Sequence, residues 1–111
     1  MVIYIPKKGD IIHLNFNPSI GHEQKGNRYV VVVSHYIFNK NTGMCFAIPI
    51  TSKYKGYPTE KYIEIGNIKG YALIDQLKSI DYKARNIKFK AKLPEEQLEE
   101  ILDIIETIIF S

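Results

Sequence analysis

The chain has 111 residues, 45% of them hydrophobic and 24% charged, with a formal net charge of +3, which suits one domain over 1–111 with a single core and is too short for two. No apolar run approaches the ~20 residues of a membrane span. The lysines of "MVIYIPKKGD" follow the apolar residues instead of preceding them as in a secretory signal, and the lone Cys45 has no internal disulfide partner, so a cytoplasmic protein is expected.

In chain order, "DIIHLNF" alternates Ile12, Leu14 and Phe16 with Ile11, His13 and Asn15, the period-two pattern of a strand. "NPSIG" breaks it, and a loop with His22, Glu23, Gln24 and Arg28 leads directly into four consecutive valines. An unbroken β-branched run of that kind predicts a strand buried on both faces, a stiff support for a polar loop. "YIFNKNTG" is rich in turn residues and reads as a connection, followed by the apolar strand "MCFAIPI". Within it Cys45 lies among Met44, Phe46 and Ile48, the setting of a buried small hydrophobe. Residues 52–60 read as a polar surface loop. "KYIEI", "YALIDQL" and "IKFKAKL" are further strands. In the last, Ile87, Phe89, Ala91 and Leu93 are expected on one side and Lys88, Lys90 and Lys92 on the other, where lysines either guard a sheet edge or track phosphates.

The period changes after Pro94. Leu98, Ile101, Leu102, Ile105, Ile108 and Ile109 recur at helical spacing, Ile104 widens the stripe, and Glu95 and Glu96 favour the positive end of the dipole. Residues 1–92 hold all 15 Lys and Arg against 6 acids, a net +9, whereas 93–111 hold 6 acids and no base. A basic body beside an acidic helix suits a phosphate-bearing partner. His13, His22 and His35 are too scattered for a metal cage, and no metal or cofactor is expected. The expected fold is mainly β with a C-terminal helix: a small SH3-like or CcdB-like antiparallel barrel plus an amphipathic helix.

"KGDIIHLNFNPSIGHEQKGNR" resembles the opening of the MazF/PemK family of toxin endoribonucleases, with its Gly-Asp before the first strand and its P-x-x-G-x-E-Q-x-G-x-R loop. The resemblance continues through "NKNTGMC", "IPITSKYKGYP", "YALIDQLKSID" and "KAR". It implies a homodimeric toxin that cuts single-stranded RNA without metal and is silenced by a cognate antitoxin with an acidic disordered segment. Carried over residue by residue, it places the family's essential Arg at Arg28 and its active-site Thr at Thr51, and matches Glu23 and Gln24 to the loop pair and Asp75, Gln76 and Lys78 to a groove-lining stretch.

Two departures stand out. Tyr29 occupies the position where relatives carry Pro, and Leu73 stands where the PemK branch has a second Arg, which leaves a His–Asp–Arg mechanism incomplete. Proton transfer is open between His22, which titrates in the useful range, and Glu23; a guanidinium is a poor proton carrier. Phe16 and the tyrosines of "KYKGYP" are candidates for base stacking, and Ser52, Lys53, Lys55 and Lys78 for backbone contacts. A gyrase-binding toxin of the same build and a plain RNA-binding module are the rival readings.

Overall fold

The computed structural model describes residues 3–15 and 27–110. Their order is β1 (Asp10–Asn15), β2 (Asn27–Val32), α1 (Tyr36–Thr42), β3 (Cys45–Thr51), β4 (Glu60–Ile65), β5 (Ile68–Leu73), a 3-10 turn (Ile74–Gln76), β6 (Lys78–Ile80), β7 (Lys88–Lys92) and α2 (Glu95–Phe110). The strands pair in the order β4-β5-β3-β2-β1-β7, with β6 on β3. The strand pairings among the described residues are antiparallel. This is the expected curled antiparallel sheet with a C-terminal helix.

The sheet carries a core on each face. Ile11, Val31, Ile48, Ile50, Ile63 and Ala72 pack under α2 with Leu98 and Ile101. Ile12, Leu14, Val30, Val32, Cys45 and Ala47 form the second core with Ile80 and Tyr82. The successive valines are thus buried on opposite sides, as their unbroken run requires. Along α2, Leu98 and Ile101 are buried while Ile108, Ile109 and Phe110 are exposed.

Two expectations are corrected. "YIFNKNTG" is not simply a connection: it holds α1, capped at its start by His35 Nδ1, which accepts from the Ile37 amide at 3.0 Å, and closed by Gly43 at φ 72°. Left-handed backbone there favours glycine. Asn39, fully buried on this helix, donates to the carbonyls of Pro6 (2.9 Å) and Ser34 (3.2 Å) and accepts from Ser34 Oγ at 2.5 Å. The Tyr82 hydroxyl donates to the Asn39 carbonyl at 2.6 Å, so one side chain and its peptide join four segments of chain.

The second correction concerns β7. Ile11 pairs with Ala91 but Ile12 with Phe89, so Lys90 is an extra residue in the strand. Such a bulge reverses the alternation. Ala91 and Leu93 pack in the core under α2, whereas Ile87 packs in the other one, and Phe89, expected on the apolar side, is 49% exposed and meets Tyr4 edge-on. The lysines part as well: Lys92 turns to Asp10 (3.4 Å) and to the Lys8 carbonyl, and Lys88 and Lys90 face solvent.

Candidate active site

The site begins with strand register. β2 and β3 pair at Val30↔Pro49, Val31↔Ile48 and Val32↔Ala47. The same register continued by two residues sets Arg28 across from Thr51. Side chains two apart share a face, so both lie on the side that carries Val30 and Ala47. The row extends in both directions: Leu14 pairs with Arg28, Thr51 with Tyr71, and Tyr71 with Tyr62. It passes from a fully buried Leu14 to a Tyr62 that is 45% exposed, leaving Arg28 and Thr51 where the core meets the surface.

Thr51 ends β3 and is nearly buried, at 9% exposure. Its Oγ1 accepts from the Lys53 amide at 3.2 Å, which orients the hydroxyl and leaves its proton to be donated elsewhere. Gly70 on β5 lies against it: a Cβ there would stand 2.6 Å from the Thr51 carbonyl oxygen and 2.9 Å from Ile50 Cγ2. β5 approaches this closely only because Gly70 has no side chain. Gly70 precedes the expected strand "YALIDQL" and lies inside β5, which begins at Ile68.

Arg28 is half-buried, and its Nε is enclosed with no hydrogen-bond partner among the described residues. Leaving such a donor unpaired costs about 1–3 kcal/mol. The acceptor best matched to an arginine fork is an oxyanion. Gln76 Oε1 is likewise buried and unpartnered. It belongs to the 3-10 turn that spans the gap between the two pairings of β3, Thr51↔Tyr71 and Ala47↔Lys78.

Asp75 is exposed beside Gln76, and both line a cleft of ≈ 630 Å³ with Lys55, Tyr57, Pro58 and Thr59. Lys78 is half-buried on β6, and Ser52, Lys53 and Lys55 are exposed in the loop after Thr51. Of the expected residues from 51 to 78, Lys55, Asp75 and Gln76 thus share one cleft, whereas Lys78 lies across from Ala47, four residues along β3 from Thr51. Phe16, His22, Glu23 and Gln24 lie outside the described residues. The remaining histidines have other tasks: His35 caps α1, and His13 packs edge-on against Tyr29 with ring centroids 5.5 Å apart. Leu73, where a second Arg would have stood, is buried. Cys45 is buried and its thiol is pushed up to about 12 by desolvation, which makes it no nucleophile.

Residues 7–109 match the model of the PemK-like, MazF-like toxin of type II toxin-antitoxin systems. The chain belongs to this family. Within the PemK/MazF-like family, it is 41% identical over 106 residues to the endoribonuclease toxin MazF of Escherichia coli K12, covering 96% of both chains. It is 31% identical over 108 residues to Escherichia coli endoribonuclease PemK, covering 93% of this chain and 81% of that one. Among solved structures, MazF from Deinococcus radiodurans superposes with a TM-score of 0.90 at 34% identity, covering 98% of this chain and 100% of that one. A MazE-MazF structure from the same organism gives a TM-score of 0.84 at 29% identity, with 97% and 98% covered. In this PemK/MazF-like chain, Arg28 lies on β2 across from Leu14, and Thr51 ends β3 across from Tyr71.

Proposed function

We propose that this chain is an endoribonuclease toxin that cuts single-stranded RNA without metal and is neutralised by a cognate antitoxin. Its relatives bear endoribonuclease names, and its fold matches MazF solved together with MazE. The observation that carries the reading is the β2–β3 register Val30↔Pro49, which, continued by two residues, brings Arg28 towards Thr51 at the surface end of the valine-supported strands.

RNA supplies its own nucleophile. The 2′-oxygen attacks the adjacent phosphorus, its proton leaves, the P–O5′ bond breaks and the 5′-oxygen takes up a proton, giving a 2′,3′-cyclic phosphate and a 5′-hydroxyl. No metal is needed for that balance, only alignment, proton transfer and charge stabilisation. Arg28 presents a planar, permanently charged fork to the phosphate oxygens. Thr51, oriented by the Lys53 amide, donates a second hydrogen bond to the same group. His22 and Glu23, which precede Arg28 in the sequence, are the two candidates for proton transfer. Gln76, Asp75 and the lysines at 53, 55 and 78 line the path of the strand, with Phe16, Gln24 and Ser52 completing the contacts.

No helix among the described residues is long and apolar enough to cross a membrane, and the function proposed belongs in the cytoplasm. The exposed Ile108, Ile109 and Phe110 at the end of α2 suit a homodimer. The deciding experiment incubates a defined single-stranded RNA with purified protein in EDTA. Cleavage to 5′-hydroxyl ends, lost in a folded Arg28→Ala variant, is expected; retention without cleavage would make the protein an RNA-binding module, and neither would point to a gyrase ligand.

A further inference from the structure

Three tyrosines meet at the outer end of the row that contains Arg28 and Thr51. Tyr71 on β5 is half-buried, with the ring of Tyr54 at 5.2 Å on one side and that of Tyr62 at 5.4 Å on the other. Tyr54 and Tyr62 are 70% and 45% exposed. The Tyr62 hydroxyl donates to Glu64 Oε1 at 3.0 Å, and its ring is braced by Tyr71. The loop that carries Tyr54 is tied down by Glu60, whose carboxylate accepts from the amides of Lys55 (3.1 Å) and Gly56 (2.9 Å).

A cross-strand ring pair such as Tyr62–Tyr71 stabilises a hairpin by itself. That does not account for Tyr54, which comes from a polar loop and lies on Tyr71 with most of its surface in solvent. Two rings held in place yet left open are what unstacked bases require, since every base has a π-face. Position agrees. Thr51, Tyr71 and Tyr62 are successive members of one register row, which sets Tyr62 about 10 Å from Thr51 at ordinary strand spacing. The charges agree too: Lys53 and Lys55 flank Tyr54, and of the two carboxylates on Tyr62's face of β4, Glu60 accepts from the loop amides and Glu64 has Lys69 Nζ at 3.9 Å.

We propose that Tyr54 and Tyr62, braced by Tyr71, form a stacking platform for the bases that flank the cleaved linkage on one side, an inference that rests on the ribonuclease reading of Arg28 and Thr51. The platform extends the substrate site beyond the reacting nucleotides and favours longer single-stranded RNA over a minimal fragment.

The test compares a minimal oligonucleotide around the mapped cut with versions extended by a few nucleotides at the 5′ or the 3′ end. Extension at one end is expected to lower KM about tenfold, the range for loss of a stacked base. Tyr62→Leu and, separately, Tyr54→Ser are expected to collapse the ratio of the two KM values towards unity, while Tyr62→Phe keeps it. Tyr54 is an exposed loop residue, so its variant reports on binding even if Tyr62→Leu folds poorly. An extension that gains nothing, or a gain retained in both variants, overturns the platform and leaves the nuclease in place. A changed oligomeric state with an unchanged ratio overturns it in favour of a protein interface. No cleavage of any oligonucleotide by the native protein overturns both.

Discussion

Gly70 and Thr51 are so close that one added methyl group would stand 2.6 Å from the Thr51 carbonyl oxygen, well inside contact distance. Backbone, unlike the tip of a long side chain, cannot swing aside. Gly70→Ala is therefore expected to separate β5 from β3 at this point and to destabilise the protein by about 1–3 kcal/mol, as overpacking does. RNA cleavage should fall further than the loss of folded protein accounts for, because Thr51 moves with its strand. Urea unfolding and cleavage assays on the same preparation check this, and unaltered cleavage in a destabilised variant would separate Gly70 from the site.

Arg28→Lys keeps a positive charge but removes the planar fork. Loss of one preorganised donor group lowers rates by about 10²–10³, and the lysine is expected to recover only a small part of that, since a point charge does not reproduce bidentate geometry. Single-turnover cleavage rates decide it. Full activity in the lysine variant would mean that charge alone suffices.

Thr51→Val preserves shape and removes the hydroxyl, whereas Thr51→Ser preserves the hydroxyl and removes a methyl. If the hydroxyl donates to the phosphate, the serine variant retains most of the activity and the valine variant loses roughly tenfold or more, the scale of one hydrogen bond to a charged group. The valine also strands the Lys53 amide that now donates to Oγ1 at 3.2 Å, so chemical shifts or exchange of that amide should change in step.

Burial pushes the Cys45 thiol up to about 12 from an ordinary 9.0, and Tyr4 and Tyr82 are shifted in the same direction, chiefly by burial. Each group thus stays protonated in the native chain at pH values where the unfolded chain has released its proton. With fewer protons bound in the unfolded state, stability falls as pH rises through the window from 9.0 towards about 12. Denaturant midpoints should accordingly drop from neutral to alkaline pH, less steeply in Cys45→Ala, and a thiol reagent should leave Cys45 untouched until the protein unfolds.

Asn39 is fully buried, and its side chain serves three partners. Asn39→Ala leaves the Pro6 and Ser34 carbonyls and the Ser34 hydroxyl short of partners, and a loss of about 3 kcal/mol is expected. Asn39→Asp should be worse, because a carboxylate would face two carbonyl oxygens. Urea unfolding measures both.

Local patterns carried most of the architecture. The valine run, the alternation in β1 and the helical spacing of Leu98 to Ile109 reflect burial on two faces or one, and burial acts on neighbours in the chain. α1 escaped because Ile37, Phe38 and Thr42 are indifferent helix formers and its cap is a histidine instead of the common Ser, Thr, Asp or Asn; a distant contact, Asn39 to the Pro6 carbonyl, helps secure it. The split of β7 between two cores depends on a bulge that no alternation within "IKFKAKL" reveals. Arg28 and Thr51 were singled out by their resemblance to a family motif; their adjacency is a property of register between strands, which period-two patterns do not specify. The tyrosine cluster was legible only as separate aromatics in separate segments.

The extra residue at Lys90 also bears on how copies of this molecule behave at high concentration. The two ends of the sheet's pairing order are β4 and β7, and an unguarded margin recruits another chain's strand. A kinked margin that displays Lys88 and Lys90 to water offers a poor template, so growth of β-rich aggregates from that side is disfavoured. Removing Lys90 would straighten the margin and swap which side each flanking residue faces, harming solubility before it harms chemistry.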